Sequence, residues 1–195
     1  MKKRIFAALL CVIMLFGMLP ITALAAEPKT IYVDATEGND KNNGSKDLPY
    51  ATVEKAVTEA ESGDTIQLGE GNYTLYGVSS TGHTEGKDLT FVGQGVDKTA
   101  WNIGALVPDP ANYGTEYNGD YSFDGAGTVT FQNMTLRSGT VNYLGFIRPD
   151  KTVVENCTIN GMTFYWGYTS ATFTNTTFNC PSGGYALWTY SSPTM

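Results

Sequence analysis

Apolar and polar residues alternate in one shared frame three times in the second half of the chain. The stretches are VTFQNMTL from Val129, TVVENCTI from Thr152 and ATFTNTTF from Ala171. Alternation with a period of two gives a strand one buried face. It predicts inward columns of Val129/Thr152/Ala171, Phe131/Val154/Phe173 and Leu136/Ile159/Phe178, with Thr135, Thr158 and Thr177 outward. Each copy turns at an asparagine, Asn133, Asn156 and Asn175, spaced 23 and 19 residues apart. A loose period of about 20 residues built from short β pieces marks a solenoid. Asparagine accepts left-handed backbone angles, which suits a sharp bend between strands. Coils stacked about 4.8 Å apart would set these side chains above one another as a hydrogen-bonded ladder. A β-sandwich is the competing arrangement. It needs two-residue hairpin turns, and Asn160-Gly161 is the single candidate in this region.

A different period appears earlier. Val53, Ala56, Val57 and Ala60 lie on one face of a helix, with Thr52 placed as N-cap and Gly63 as its closing residue. A solenoid end exposes apolar rows and unpaired strand edges, so an amphipathic helix is expected there as a cap.

The N-terminus reads as a secretory leader. Lys2, Lys3 and Arg4 precede an apolar run from Ile5 to Leu19, and Ala23-Leu24-Ala25 supplies a cleavage site. The expected division is residues 1–25 as signal peptide and 26–195 as one domain. The expected location is outside the cell, with attachment to a cell wall as one form of it. No partner membrane is expected after cleavage. The net charge is −7. Losing the three leader cations makes it more negative, which argues against nucleic acid as a partner. Cys157 and Cys180 are too few for a disulfide framework, and their offset in the repeat predicts two free, largely buried thiols.

The region from Thr30 to Gly95 carries a set of motifs within IYVDATEGNDKNNGSKDLPYATVEKAVTEAESGDTIQLGEGNYT and DLTFVGQG. They are Gly63-Asp64-Thr65-Ile66, Gly71-Asn72-Tyr73-Thr74 and Val92-Gly93-Gln94-Gly95. In this it resembles the amino-terminal part of the pectin-lyase-like proteins, the right-handed parallel β-helix superfamily. The resemblance implies an all-β, right-handed, single-stranded parallel β-helix with a short N-terminal capping α-helix, of about six coils. In that superfamily chemistry occurs on an outward strand face. Acidic residues hold calcium with an Arg or Lys as base, or paired Asp residues act with Gln and Arg.

Neither set is legible in this chain. Arg148 and Asp150 are the nearest catalytic candidates, although Arg148-Pro149-Asp150-Lys151 also reads as a turn. His83, the single histidine, sits in a polar glycine-rich loop with no nucleophile elbow or metal-ligand spacing near it. Asp34, Asp40, Asn42 and Asp47 bring oxygen ligands that can hold calcium into one loop, without the EF-hand frame, although no cofactor is required. Turn-capping by the same side chains is the simpler use. The densest signal is aromatic: Tyr143 and Phe146, then Tyr165 and Trp166, then Trp188 and Tyr190. Outward members stacked on one sheet would form a stripe of rings suited to sugar faces.

The expected function is a monomeric extracellular β-helix module that binds polysaccharide or a cell-surface glycan without catalysis. The alternative is a polysaccharide lyase or glycoside hydrolase whose catalytic residues lie partly beyond Met195. The lack of a cap after Asn175 leads to the expectation of further coils there.

Overall fold

The computed structural model describes residues 27–74, 84–103, 121–137, 143–180, 186–187 and 194–195. Residues 1–26, which include the expected leader, and His83 lie outside them.

Each coil contributes one strand to a sheet that runs the length of the stack. The strands of this first sheet are β1 (Thr30–Val33), β2 (Thr65–Leu68), β4 (Leu89–Val92), β7 (Thr128–Gln132), β10 (Lys151–Glu155) and β13 (Ser170–Thr174). They pair in the order β1-β2-β4-β7-β10-β13. A second sheet holds β3 (Gly71–Thr74), β5 (Thr99–Asn102), β8 (Thr135–Arg137), β11 (Thr158–Asn160) and β14 (Thr177–Asn179), again in coil order. The third contains β6 (Tyr121–Ser122), β9 (Tyr143–Ile147) and β12 (Met162–Trp166). All these pairings are parallel and join one coil to the next. The fold is therefore an all-β parallel β-helix. Thr194 adds a bridge beside Thr172 on the far side of β13.

The register carries the sequence columns into three dimensions. Val154 sits between Phe131 and Phe173, and Ile159 between Leu136 and Phe178. The same columns extend into coils that lack the repeat. Ile31, Ile66 and Phe91 continue the first, and Tyr73 and Trp101 the second. These side chains fill the bore and are buried, except Phe178 in the last coil, which is half-buried. Aromatic rings from successive coils meet there. Phe131 lies 5.8 Å from Phe91 and from Trp101, and 5.6 Å from Phe123. The Phe91 pair is stacked, at 17° between planes, and the other two are tilted or edge-on, the arrangements aromatic pairs favour.

The three asparagine corners have φ of 56° at Asn133, 53° at Asn156 and 47° at Asn175, the left-handed region expected of them. Asn175 Nδ2 donates to Asn156 Oδ1 at 2.8 Å. The residue after each corner turns inward or against the coil. Met134 and Cys157 are buried, which explains why a thiol follows Asn156. Thr135 departs from the outward column: it is buried, and its hydroxyl donates to the Val96 carbonyl at 2.7 Å. The long corner between β4 and β5 folds over it.

Helix α1 (Val53–Glu59) packs against β1 at the first coil and buries Val53, Ala56 and Val57. Thr52 is its N-cap and accepts from the Lys55 amide. The helix stops at Ala60, before Gly63. Gly63, at φ 95°, instead turns the chain into β2, and its amide donates to the Asp88 carbonyl on the next coil. The helix ends early because Asp64 takes the backbone. Its buried carboxylate accepts from the amides of Lys29 and Glu61, and Ala60 between the helix and this turn is already extended. No helix among the described residues is long and apolar enough to cross a membrane.

Candidate functional site

The aromatic stripe loses its central member. Trp166 ends β12 beside Ile147 and is fully buried, with its ring 6.2 Å from Phe131 and 5.6 Å from Phe173. It is a core residue and meets no external ligand, because the pairing of β12 with β9 sets its last position in the bore. Tyr143 and Phe146 belong to β9 and Tyr165 to β12, while Trp188 and Tyr190 lie outside the described residues. Among the described side chains, Tyr168 is an exposed ring in this region, with the Arg148 guanidinium 5.1 Å from its centre.

Arg148 and Asp150 do not form a pair. Arg148 Nε lies 3.2 Å from Asp124 Oδ1, an ion-pair distance. The Asp150 carboxylate accepts from the Thr169 hydroxyl, and its backbone joins Ala126 and Thr169. Both residues tie neighbouring turns together, the turn reading of Arg-Pro-Asp-Lys.

The loop carboxylates are similarly engaged. Asp34 Oδ1 accepts from the amides of Thr36 and Glu37. Asp40 accepts from the amides of Ala51 and Thr52 and from the Thr52 hydroxyl. The Asn42 amide donates to the Pro49 carbonyl. Among the described residues, no three His, Cys, Asp or Glu side chains group closely enough to hold a metal ion, Asp47 included. These side chains brace the loop and the helix N-cap. Asp40→Ala is expected to cost about 1–2 kcal/mol through loss of its charged acceptor. Urea unfolding in EDTA measures this without a metal contribution, and an unchanged midpoint would count against the bracing role.

Cys157 is buried, and its thiol contacts the Phe131 and Glu155 carbonyls at 3.6 and 3.3 Å. Burial pushes its pKa up to about 11, so it is not an activated nucleophile. Cys180 is also free, but half-buried rather than enclosed.

A surface depression lies elsewhere, on the outer face of the second sheet. It has a volume of about 590 Å³ and crosses five coils, with Asn72, Lys98, Arg137, Thr158, Asn160 and Asn179 among its lining residues. Val96, Asp97 and Lys98, from the long β4–β5 corner, form part of its wall. Arg137 occupies the middle. Its Nε donates to Asn102 Oδ1 at 2.9 Å and its Nη2 to Asn72 Oδ1 at 2.8 Å. Two amides thus hold the guanidinium flat against the sheet without cancelling its charge. Lys98 is paired at the groove wall with Glu70, at 2.7 Å. Farther along, Asn179 Nδ2 donates to Asn160 Oδ1 at 2.8 Å. The result is a polar strip in which Arg137 and Lys98 stand with Asp97 and, at the wall, Glu70.

The repeat contained a signal for this site. Arg137, Asn160 and Asn179 each stand four residues after a corner asparagine, at an outward position of the second strand. Asn72 and Asn102 lie in coils without the repeat, so spacing alone did not connect them to Arg137.

A family model described as "Protein of unknown function (DUF1565)", a family associated with β-helix proteins, matches residues 36–80. The match includes the loop before α1, the cap and strands β2 and β3. No curated protein and no solved structure matches the chain.

Proposed function

We propose that this chain is an extracellular carbohydrate-binding module, acting as a monomer. In this reading it belongs with the pectin-lyase-like β-helices, and a polysaccharide or cell-surface glycan lies in the groove on the second sheet. The observation that carries the reading is Arg137, fixed by Asn72 and Asn102 in the middle of that groove. Amides and a held guanidinium offer hydrogen bonds in set directions, which match sugar hydroxyls at little cost in side-chain ordering. A groove crossing stacked coils also suits a polymer better than a compact metabolite.

Binding without catalysis is favoured by the groove's chemistry. Among the described residues its lining contains one carboxylate, Asp97, whereas glycoside hydrolysis ordinarily uses two that flank the bond. The reading requires no cofactor.

Affinity retention on neutral and acidic polysaccharides, with and without calcium, tests this proposal. Arg137→Ala is expected to weaken retention about 10- to 100-fold, the loss of charge-assisted hydrogen bonds worth about 1.5–3 kcal/mol. A thermal melt checks that the variant is folded. Retention unchanged in a folded Arg137→Ala protein would refute the groove. Oligosaccharide products from any substrate would replace the binding reading with an enzymatic one.

A further inference from the structure

Asn160-Gly161, the hairpin candidate of the repeat region, makes no hairpin. Asn160 ends β11, and Gly161, at φ 127°, turns the chain into β12. The dipeptide carries a chemistry of its own. An asparagine carboxamide is open to attack by the backbone nitrogen that follows it, and glycine hinders that approach least because it has no Cβ.

Both reacting groups are held by one residue of the next coil. The Gly161 amide donates to the Asn179 carbonyl at 3.0 Å. Asn179 Nδ2 donates to Asn160 Oδ1 at 2.8 Å. The first bond occupies the proton that the attacking nitrogen must lose. The second keeps the Asn160 carboxamide reaching across to β14, where ring closure needs it folded back along its own chain. Asn179 stands opposite Asn160 in the β11–β14 register, so both bonds last only while that coil is docked. Asn43-Gly44 makes the contrast. The Gly44 amide donates to the Leu48 carbonyl at 3.0 Å, and Asn43 Oδ1 accepts from the Ser45 amide at 3.1 Å. Its guards sit in its own loop and owe nothing to stacking.

We propose that Asn160-Gly161 is a self-modification site, a deamidation site guarded by Asn179. When β14 lifts away, the Gly161 nitrogen attacks Asn160 Cγ. The N–Cγ bond forms, the Cγ–Nδ2 bond breaks, and the Gly161 amide proton leaves with Nδ2 as ammonia. Water then opens the succinimide to aspartate or isoaspartate. One water is consumed and one ammonia released, and no oxidant or cofactor takes part. Aspartate places a carboxylate on the groove lining, next in register to Arg137. Isoaspartate adds a main-chain atom at the end of β11 and disturbs its register with β14. Either product records an opening of this coil, the kind of local opening that does not require global unfolding. The site is independent of what the groove binds.

Peptide mapping by mass spectrometry, on the full chain held in mildly alkaline buffer, measures the rate at each asparagine. In the native protein Asn160 is expected to react at least about tenfold more slowly than in the urea-unfolded chain. Asn179→Ala is expected to raise the native rate at Asn160 by up to about tenfold, the weight of one hydrogen bond in holding the groups apart, and to leave Asn43 unchanged. That pattern supports the guarded site. Equal rates in the native and unfolded parent overturn the guard without recourse to any variant. An unchanged Asn160 rate in Asn179→Ala overturns it as well. A parallel rise at Asn43 means that the whole chain has loosened, and it too counts against Asn179 as the guard. No reaction at Asn160 even in the unfolded chain overturns the site itself.

Discussion

Trp166→Ala is expected to destabilise the protein by about 3–5 kcal/mol, the usual cost of deleting a large aromatic side chain from a core. The ring is fully buried and lies at edge-contact distance from Phe131 in an earlier coil and Phe173 in the same coil as β13. Alanine leaves a cavity in the bore, and close-packed neighbours on both sides collapse into it only partly. Trp166→Phe provides the control. The indole Nε1 has no acceptor among the described residues, so phenylalanine removes an unsatisfied donor while retaining most of the ring packing. Its cost is expected to stay well below that of alanine. Urea unfolding followed by far-ultraviolet circular dichroism measures both. A loss of less than about 1 kcal/mol in Trp166→Ala would mean that the ring faces outward and would restore the aromatic-stripe reading.

Gly93→Ala is the second large effect, and its sign is informative. A methyl group at Gly93 would stand 2.5 Å from the Asn133 carbonyl oxygen and 2.8 Å from Met134 Cβ, both on the following coil. The Gly93 amide also donates to Gln132 there, at 2.8 Å. The neighbour is backbone, so relief requires the two coils to separate. Gly93 does not have a positive φ among the glycines that do. An ordinary Gly-to-Ala change at such a position would stabilise by limiting the unfolded chain. The clash reverses this, and a net loss of about 2 kcal/mol is expected, from the range for overpacking. For a chain of this size that is a fall in Tm of about 4–8 °C. A melting temperature equal to or above that of the parent would show that the coils do not approach so closely.

These two residues show where sequence reasoning succeeded and where it stopped. Gly93 belongs to the Gly-x-Gly motif by which the architecture was recognised, and the structure supplies its reason as the close approach of one coil to the next. Trp166 lay in a run of aromatics, Phe164-Tyr165-Trp166, with glycines and variable turns on either side. A shift of one residue exchanges the two faces of a strand. The direction of each ring was therefore undetermined until neighbouring strands fixed the register. That pairing shifts within β9 and β12, so counting in twos along them does not keep phase.

The chain by itself determined what depends on local pattern. Alternation, the recurring asparagines and the amphipathic segment were enough for strands, corners and a cap, because each follows from backbone geometry and from which side chains avoid water. The inward columns of the three copies could be written down before any coordinates. Tertiary structure alone decided what depends on lateral distance between coils. Asn72, Asn102, Arg137 and Asn160 are spread across 88 residues of sequence, yet stacking makes them one surface. The same stacking set Arg148 beside Asp124, while the folding of one loop made Asp40 a brace for the helix cap. Side-chain partners across a solenoid are chosen by register and by corner length, and the corners of this chain differ from coil to coil.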